Sequence, residues 1–405
     1  MNRWRVFTSA PHRMFFFGGI LQSCLAMLWW LADLGGRYAN LYAPLDWSLP
    51  PMDIHAFLML FAIFPFFIFG FLMTTYPRWM NGREVPRTST VRAFLLMLAG
   101  MACFYAALLG NPFGLMLSAV LFLSGWAVGL AALLRVYLES IHPDKRHARI
   151  TSVVLSLGWL LALCWYLGEL IHLEVLVSLA RVLGVWLLLF PVFFAVSHRM
   201  IPFFSGVVIR DYEVVRPMSA LAIAPLCGCV HGVLELSGLP QWTWVADLPL
   251  AGLGFYLTWA WRFRASFIAP ILAMLHVGFA WLGVAALLYG VQSLAALSGV
   301  AVLGRAPLHA LTAGYFSGMV LAMVTRVTLG HSGRNLVVDR LTWTLFLVFQ
   351  GVALLRMGAD WPGLPWGARA WVLLVAGMLW LAVFGVWAWR FAPMYWRPRS
   401  DGRPG

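Results

Sequence analysis

Long apolar runs follow one another along this chain, separated by short polar or basic segments. A helix needs about 20 apolar residues to cross the hydrocarbon core of a bilayer. The pattern therefore predicts about twelve spanning helices, at residues 14–34, 54–76, 92–110, 113–136, 150–172, 176–197, 218–238, 247–261, 266–290, 301–328, 341–358 and 368–390. Because no connection is long or polar enough to form a soluble domain, we interpret residues 1–405 as a single membrane domain.

The composition supports this interpretation. Of 405 residues, 62% are hydrophobic and 11% are charged, whereas soluble chains carry about 25% charged residues. These values predict an all-α, polytopic membrane helical bundle. The net charge of +13 comes from basic residues that occur singly or in small groups between apolar runs. That distribution is typical of membrane topology and not of a nucleic-acid-binding face, so the expected partner is the lipid bilayer.

The basic residues also predict the orientation. With a cytoplasmic N-terminus, all but five of the 28 basic residues fall on the cytoplasmic side, and this set extends to Arg403 in the C-terminal tail. Bacterial membrane proteins retain lysine and arginine on that side. Both termini are therefore predicted to be cytoplasmic. The five exceptions are Arg37, Arg181, Arg305, Arg356 and Arg369.

The ten histidines form two layers on this topology. The inner layer, at the cytoplasmic ends of spans, contains His12, His198 and His331. The outer layer contains His55, His172, His231, His276 and His309. His142 and His147 fall in the basic loop after the fourth span, where we expect them to be solvated. An imidazole within a span is costly without a partner, so the others are candidates for function.

His276 and His309 stand out because each lies about ten residues into consecutive spans that are entered from opposite sides. Matched depth would suit two axial ligands of one haem, or one haem ligand beside a second metal. The alternative is hydrogen bonding between helices. Arg305, one turn before His309, is placed to pair with a haem propionate or to anchor the helix at the interface.

Three further patterns have both a chemical and a packing interpretation. Cys227, His231 and Glu235 share one helix face and are candidate copper ligands. His55 enters an otherwise apolar helix and is a candidate metal ligand. A ribbon of small residues permits close approach of a neighbouring helix or a flat ligand, and its members are Ala310, Gly314, Gly318 and Ala322. In the inner layer, each histidine has an arginine nearby, an arrangement suited to haem propionates, an anion or a second cofactor.

A short repeat suggests internal duplication. "HRMFFFGG" begins at residue 12 and "HRMIPFFSG" begins at residue 198, six predicted helices apart. This pattern hints at a six-plus-six pseudo-repeat of residues 1–197 and 198–405, although a tripeptide match is weak evidence and chance explains it better.

Several segments together resemble the NnrS family of bacterial haem- and copper-containing membrane proteins, which is linked to nitric oxide metabolism and stress. They are "APHRMFFFGG" at 10–19, "HAFLMLFAIFPFFIFGFLMTTYPRW" at 55–79, "RMIPFF" at 199–204, "LHVGFAWLG" at 275–283 and "LHALTAGYFSGMVLAMVTRVTLGHSGR" at 308–334. The resemblance implies a twelve-helix bundle in the bacterial inner membrane, haem b, and copper as a second metal. The positions that match the family's histidines are His12, His55, His276, His309 and His331.

One departure from the family pattern affects the second helix. Where the family reads His-x-His-Glu-Met, this chain reads His55-Ala56-Phe57-Leu58-Met59. The second histidine and the glutamate are therefore missing, and they supply no metal ligand here.

The leading functional hypothesis is a haem protein, with or without copper, that binds or turns over nitric oxide or a related small molecule. His55, His276 and His309 would supply axial or copper ligands, and an oxidoreductase would draw electrons from quinol. One alternative is a non-catalytic protein that scavenges haem or nitric oxide. Another is a twelve-helix secondary transporter, which the helix count and the possible repeat suggest.

Overall fold

The structure is a computed structural model that describes residues 2–402; Arg403 lies outside this range. The described chain is a bundle of helices, and residues 2–402 contain no strand. We number its long helices in chain order. They are α1 (Pro11–Arg37), α2 (Pro51–Trp79), α3 (Arg87–Leu108), α4 (Pro112–Glu139), α5 (Arg146–Leu170), α6 (Glu174–Val208), α7 (Ala220–Leu236), α8 (Trp244–Ala260), α9 (Pro270–Leu297), α10 (Ala306–His331), α11 (Arg340–Gly358) and α12 (Trp366–Tyr395).

Ten of these helices are long and apolar enough to cross a membrane, which makes the chain a multi-pass membrane protein. The other two, α7 and α8, stand where the seventh and eighth spans are predicted, but each has 17 residues. At 1.5 Å per residue they measure about 26 Å, less than the hydrocarbon thickness of about 30 Å. The all-helical prediction is confirmed, while a count of twelve spans stays a prediction.

Proline determines where several helices begin. Pro11, Pro51, Pro112, Pro270 and Pro307 occupy the first turn of their helices. Proline suits this position because its missing N–H has no partner there in any case. Thus α9 begins at Pro270, after the predicted start at residue 266. It continues to Leu297, past the predicted end at residue 290.

Three helices contain π-helical stretches, which are rare and often lie at functional sites. They are Leu58–Ile63 in α2, Gly184–Leu189 in α6 and Ala310–Ser317 in α10. These are also among the most buried helices, with 89% of the spanning segment of α2 and 83% of that of α10 inside the bundle. The stretches in α2 and α10 therefore lie in the two most buried of the ten candidate spans.

Candidate functional site

A cavity of about 410 Å³ lies in the bundle on the side predicted to face outward. All three π-helical stretches contribute to its wall, through side chains such as Met59, Trp186 and Thr312. It also contains His55 and His309, which the sequence places on helices far apart along the chain. The fold thus brings two of the predicted site histidines to one cavity.

His309 has a defined protonation pattern. Its Nδ1 atom lies 2.9 Å from the carbonyl oxygen of Arg305. A carbonyl oxygen only accepts hydrogen bonds, so Nδ1 carries the proton and Nε2 keeps its lone pair. Metal-bound histidines almost always donate their other N–H in this way. His309 therefore has the tautomer that a metal ligand requires.

His55 lies on α2 at the same cavity. Its ring stacks on the indole of Trp30, with centroids 4.0 Å apart and an interplanar angle of 22°. Its Nδ1 atom is buried and has no hydrogen-bond partner. A buried polar atom without a partner is costly and calls for an explanation. A ligand in the cavity would supply the missing interaction for this imidazole.

The cavity wall is strongly cationic. Arg181, Arg305, Arg356 and Arg369 line it, and the guanidinium of Arg37 lies 5.7 Å from the ring centroid of Trp30. These are the five arginines that depart from the predicted cytoplasmic pattern. Their position around this cavity explains why these arginines lie outside the predicted cytoplasmic set.

Two of these arginines lack a counter-charge. Arg181 pairs with Asp53 at 2.9 Å, and Arg356 pairs with Asp360 at 2.8 Å. Within residues 2–402, no carboxylate lies within 4.0 Å of the guanidinium of Arg305 or Arg369. The Nε atom of Arg369 is also buried without a partner. These two guanidinium groups, at the starts of α10 and α12, are therefore available to pair with an anionic occupant of the cavity.

The expected pairing of His276 with His309 is wrong. His276 bonds through Nε2 to Oγ of Ser205 at 2.9 Å, near the C-terminal end of α6, which is predicted to be cytoplasmic. A Cβ at Gly278 would lie 3.2 Å from the backbone carbon of Gly318, so these two residues stand at one level. His309 precedes Gly318 by nine residues and His276 lies two residues further inward, which separates the imidazoles by about 16 Å along the helices. Two ligands of one metal ion stand about 4 Å apart.

His231 has carboxylate neighbours that the sequence pattern only partly revealed. Its Nδ1 atom lies 2.6 Å from Oδ1 of the buried Asp247, and Nε2 lies 3.6 Å from Oε2 of Glu235. Its ring packs 3.9 Å from Trp186. Cys227 does not join this group, and residues 2–402 hold no cluster of three or more His, Cys, Asp or Glu side chains placed to bind a metal ion. The three predicted copper ligands therefore do not converge.

The inner layer divides into two separate histidine pairs. The rings of His12 and His331 lie 4.6 Å apart, centroid to centroid. His147 and His198 bond through Nε2 and Nδ1 at 3.1 Å, and His198 donates from Nε2 to the carbonyl oxygen of Pro217 at 3.0 Å. The expectation that His147 is solvated is wrong, because it belongs to α5 and is 2% exposed. His142 does lie in the loop, where Nδ1 contacts Asp144.

The small-residue ribbon on α10 serves helix packing. A Cβ at Gly314 would lie 2.6 Å from the indole of Trp281, and Gly318 faces Gly278, both on α9. Of the two interpretations, approach of a neighbouring helix is the one observed.

The cavity also contains residues that the sequence did not single out as site residues. Arg356, Arg369 and Tyr289 line it, and Asp247 supports His231 beside it. The arginine exceptions to the topology pattern are the available signal, because they belong to five different helices or helix ends and yet share one predicted membrane side. Nothing in the local sequence marks Asp247 as the partner of His231.

These features define a multi-pass α-helical membrane protein with a cationic, histidine-bearing cavity in its predicted outer half. The family model described as NnrS protein matches residues 6–399, nearly the whole chain, and the chain belongs to this family. No curated protein matches the sequence significantly.

Proposed function

We propose that the protein binds haem b in the outer cavity and that this haem takes nitric oxide or a related small molecule in the bacterial inner membrane. The observation that carries the proposal is the meeting of two imidazoles and two unpaired arginines in one cavity. Family membership supports the same assignment.

The residues present fit the proposed group. His309 offers Nε2 as the iron ligand, and hydrogen bonding of its Nδ1–H to Arg305 orients the ring and raises its basicity. Arg305 and Arg369 are suited to the two propionate carboxylates, since guanidinium and carboxylate form paired, charge-assisted hydrogen bonds. Trp30, Trp380 and other apolar side chains line the remainder. A volume of about 410 Å³ lies within the range of about 300–1,000 Å³ typical of ligand sites.

Each side chain then has a defined task. His309 would hold the iron through Nε2, and the haem would supply the capacity to bind diatomic gases. His55, held in place by Trp30, supplies a second imidazole in the same cavity as a ligand or as a hydrogen-bonding group. The apolar and aromatic wall limits water. The candidate copper ligands Cys227, His231 and Glu235 do not converge in the described chain, and we assign no step to copper.

An optical spectrum with iron analysis of the purified chain tests the proposal. We expect a Soret band and stoichiometric iron in the wild type, loss of both in His309→Ala, and an altered spectrum in His55→Ala. His276→Ala is the control, because it removes a buried imidazole that lies outside the cavity. A wild type without a Soret band, or full haem retention in both cavity variants, would refute the site.

Steady-state nitric oxide consumption distinguishes an oxidoreductase from a non-catalytic scavenger. An oxidoreductase supplied with reduced quinol continues to consume nitric oxide, whereas a scavenger stops after about one equivalent. No observation in the cavity favours the transporter, whereas the unpartnered Nδ1 of His55 and the lone pair on Nε2 of His309 suit a metal-bearing ligand.

A further inference from the structure

A second cavity, of about 50 Å³, lies directly inward of the histidine cavity. Its wall is built by α2, α6 and α10, each just after its π-helical stretch. On α2, Phe64 lines the outer cavity and Phe67, one turn further on, lines the inner one. On α10 the corresponding residues are Ser317 and Met319. The two cavities are therefore successive spaces between the same three helices.

The inner cavity is apolar. Its lining residues are all buried except Val196, which is partly exposed. The single polar lining side chain is Ser197, whose Oγ is hydrogen-bonded to the hydroxyl of Tyr315 at 3.1 Å. A buried water needs about two to four polar partners, and apolar cavities that lack them stay dry and bind xenon or benzene. The space exceeds the volume of about 10–15 Å³ needed for one water-sized molecule but is well below the ~150 Å³ of a benzene site.

Three phenylalanine rings, one from each helix, separate the two cavities. Phe193 and Phe316 stack with centroids 4.8 Å apart. Phe64 meets both edge-on, at 5.5 Å from Phe193 and 5.9 Å from Phe316. Phe64 faces the outer cavity while Phe193 faces the inner one. The contact between Phe64 and Phe193 therefore joins the walls of the two cavities.

We propose that the inner cavity is a binding site for one small apolar gas molecule of diatomic size, held beside the histidine cavity behind Phe64, Phe193 and Phe316. Its identification with nitric oxide rests on the proposed function, but the capacity to hold an apolar gas does not require haem. Such gases dissolve in the hydrocarbon of the bilayer. A dry site within the bundle would hold the gas next to the histidine cavity without admitting water.

Xenon-pressurised crystals of the full chain test this site. We expect xenon density in the wild-type inner cavity, its loss in Val320→Ile, which adds a methyl group to the wall, and higher occupancy in Met323→Ala, which enlarges the space. Met101→Ala is the control, because it truncates a buried methionine away from this cavity and should leave the xenon occupancy unchanged.

Absence of xenon from both the wild type and Met323→Ala would overturn the proposal, as would ordered water or an acyl or detergent chain in the cavity. Xenon density in a protein without a Soret band would keep the gas site and refute the haem assignment. The two proposals therefore fail separately.

Discussion

At the scale of single residues, Arg13 is one of the arginines that predict the topology, and it also stabilises the contact between two helices. Its sequence context beside His12 suggests an anion or propionate site. Instead, Nη1 donates to the carbonyl oxygens of Tyr395 at 3.1 Å and Arg397 at 2.9 Å, at the end of α12. The last carbonyls of a helix lack intrahelical donors, so this guanidinium caps α12 and joins it to α1.

Arg13→Gln should therefore destabilise the protein by about 2–3 kcal/mol, since hydrogen bonds from a charged donor contribute about 1.5–3 kcal/mol each. Faster hydrogen exchange of the amides near Tyr395 should accompany a lower thermal midpoint. Arg5→Gln removes an exposed arginine from the same N-terminal region and serves as the control. Equal stability of the two variants would contradict the capping role.

The candidate histidines could be identified from the sequence, but their grouping could not. His55 and His309 were expected as ligands, and both line the outer cavity. The matched depth of His276 and His309 depends on helix starts predicted at residues 266 and 301, whereas α9 begins at Pro270 and α10 begins at Ala306. His309 lies only three residues into α10, while α9 is 28 residues long, so equal counts from opposite ends do not reach equal depth. Contacts between distant helices decide depth, and hydropathy does not encode them.

At the scale of helices, the apolar pattern predicted where spans lie but not their internal irregularities. The π-helical stretches of α2, α6 and α10 leave no trace in hydropathy, yet all three line the outer cavity. Close packing of α3 against α4 was equally hidden. A Cβ at Gly100 would lie 2.6 Å from the backbone nitrogen of Phe122 and 2.8 Å from its Cβ. Glycine is required here because the two helix backbones approach directly.

Gly100→Ala should consequently lower the free energy of unfolding by about 1–3 kcal/mol, the usual cost of overpacking. Gly351→Ala is the matched control. It lies within α11, where an added Cβ meets nothing within 4 Å, and alanine gains about 0.5–1 kcal/mol over glycine inside a helix. Thermal unfolding in one detergent compares them. A tolerated Gly100→Ala would refute the direct backbone contact.

Asp339 provides a pH-dependent test at the start of α11. Its Oδ1 accepts from the backbone N–H of Thr342 at 3.1 Å, and its carboxylate pairs with Arg390 at 2.7 Å. Burial, the largest single influence, raises the pKa of this carboxyl, but the hydrogen bonds from Thr342 and the charge of Arg390 outweigh it, so the pKa is lowered. The resulting stabilisation is complete above the unfolded value of about 3.9 and is lost as the pH falls through the folded pKa.

Asp339→Ala should cost about 1 kcal/mol at neutral pH through loss of the cap. Asp339→Asn should cost less, because asparagine caps equally well and the exposed ion pair with Arg390 contributes little. Thermal midpoints measured between pH 7 and pH 3 should converge for wild type and Asp339→Asn at the acid end. A constant difference across that range would show that the carboxylate charge is not involved.

At the scale of the whole molecule, the arginine distribution links topology to the site. The five exceptions to the cytoplasmic pattern collect at one cavity, so they describe a site and do not weaken the predicted orientation. The same orientation places the histidine cavity toward the outer face and the paired histidines His12 and His331 toward the cytoplasm. The orientation of the chain in the membrane therefore decides from which side a ligand reaches the histidine cavity.

Cysteine labelling of intact cells tests this orientation, in a chain whose five native cysteines are replaced by alanine. Leu109, 81% exposed in the connection between α3 and α4, should react as Leu109→Cys with a membrane-impermeant maleimide added outside. Ile141, 98% exposed between α4 and α5, should react as Ile141→Cys only after the membrane is permeabilised. These residues flank the same helix, so one span separates them and each serves as the control for the other. The reverse pattern would place the histidine cavity on the cytoplasmic side, where ligands would have to reach it from the cell interior.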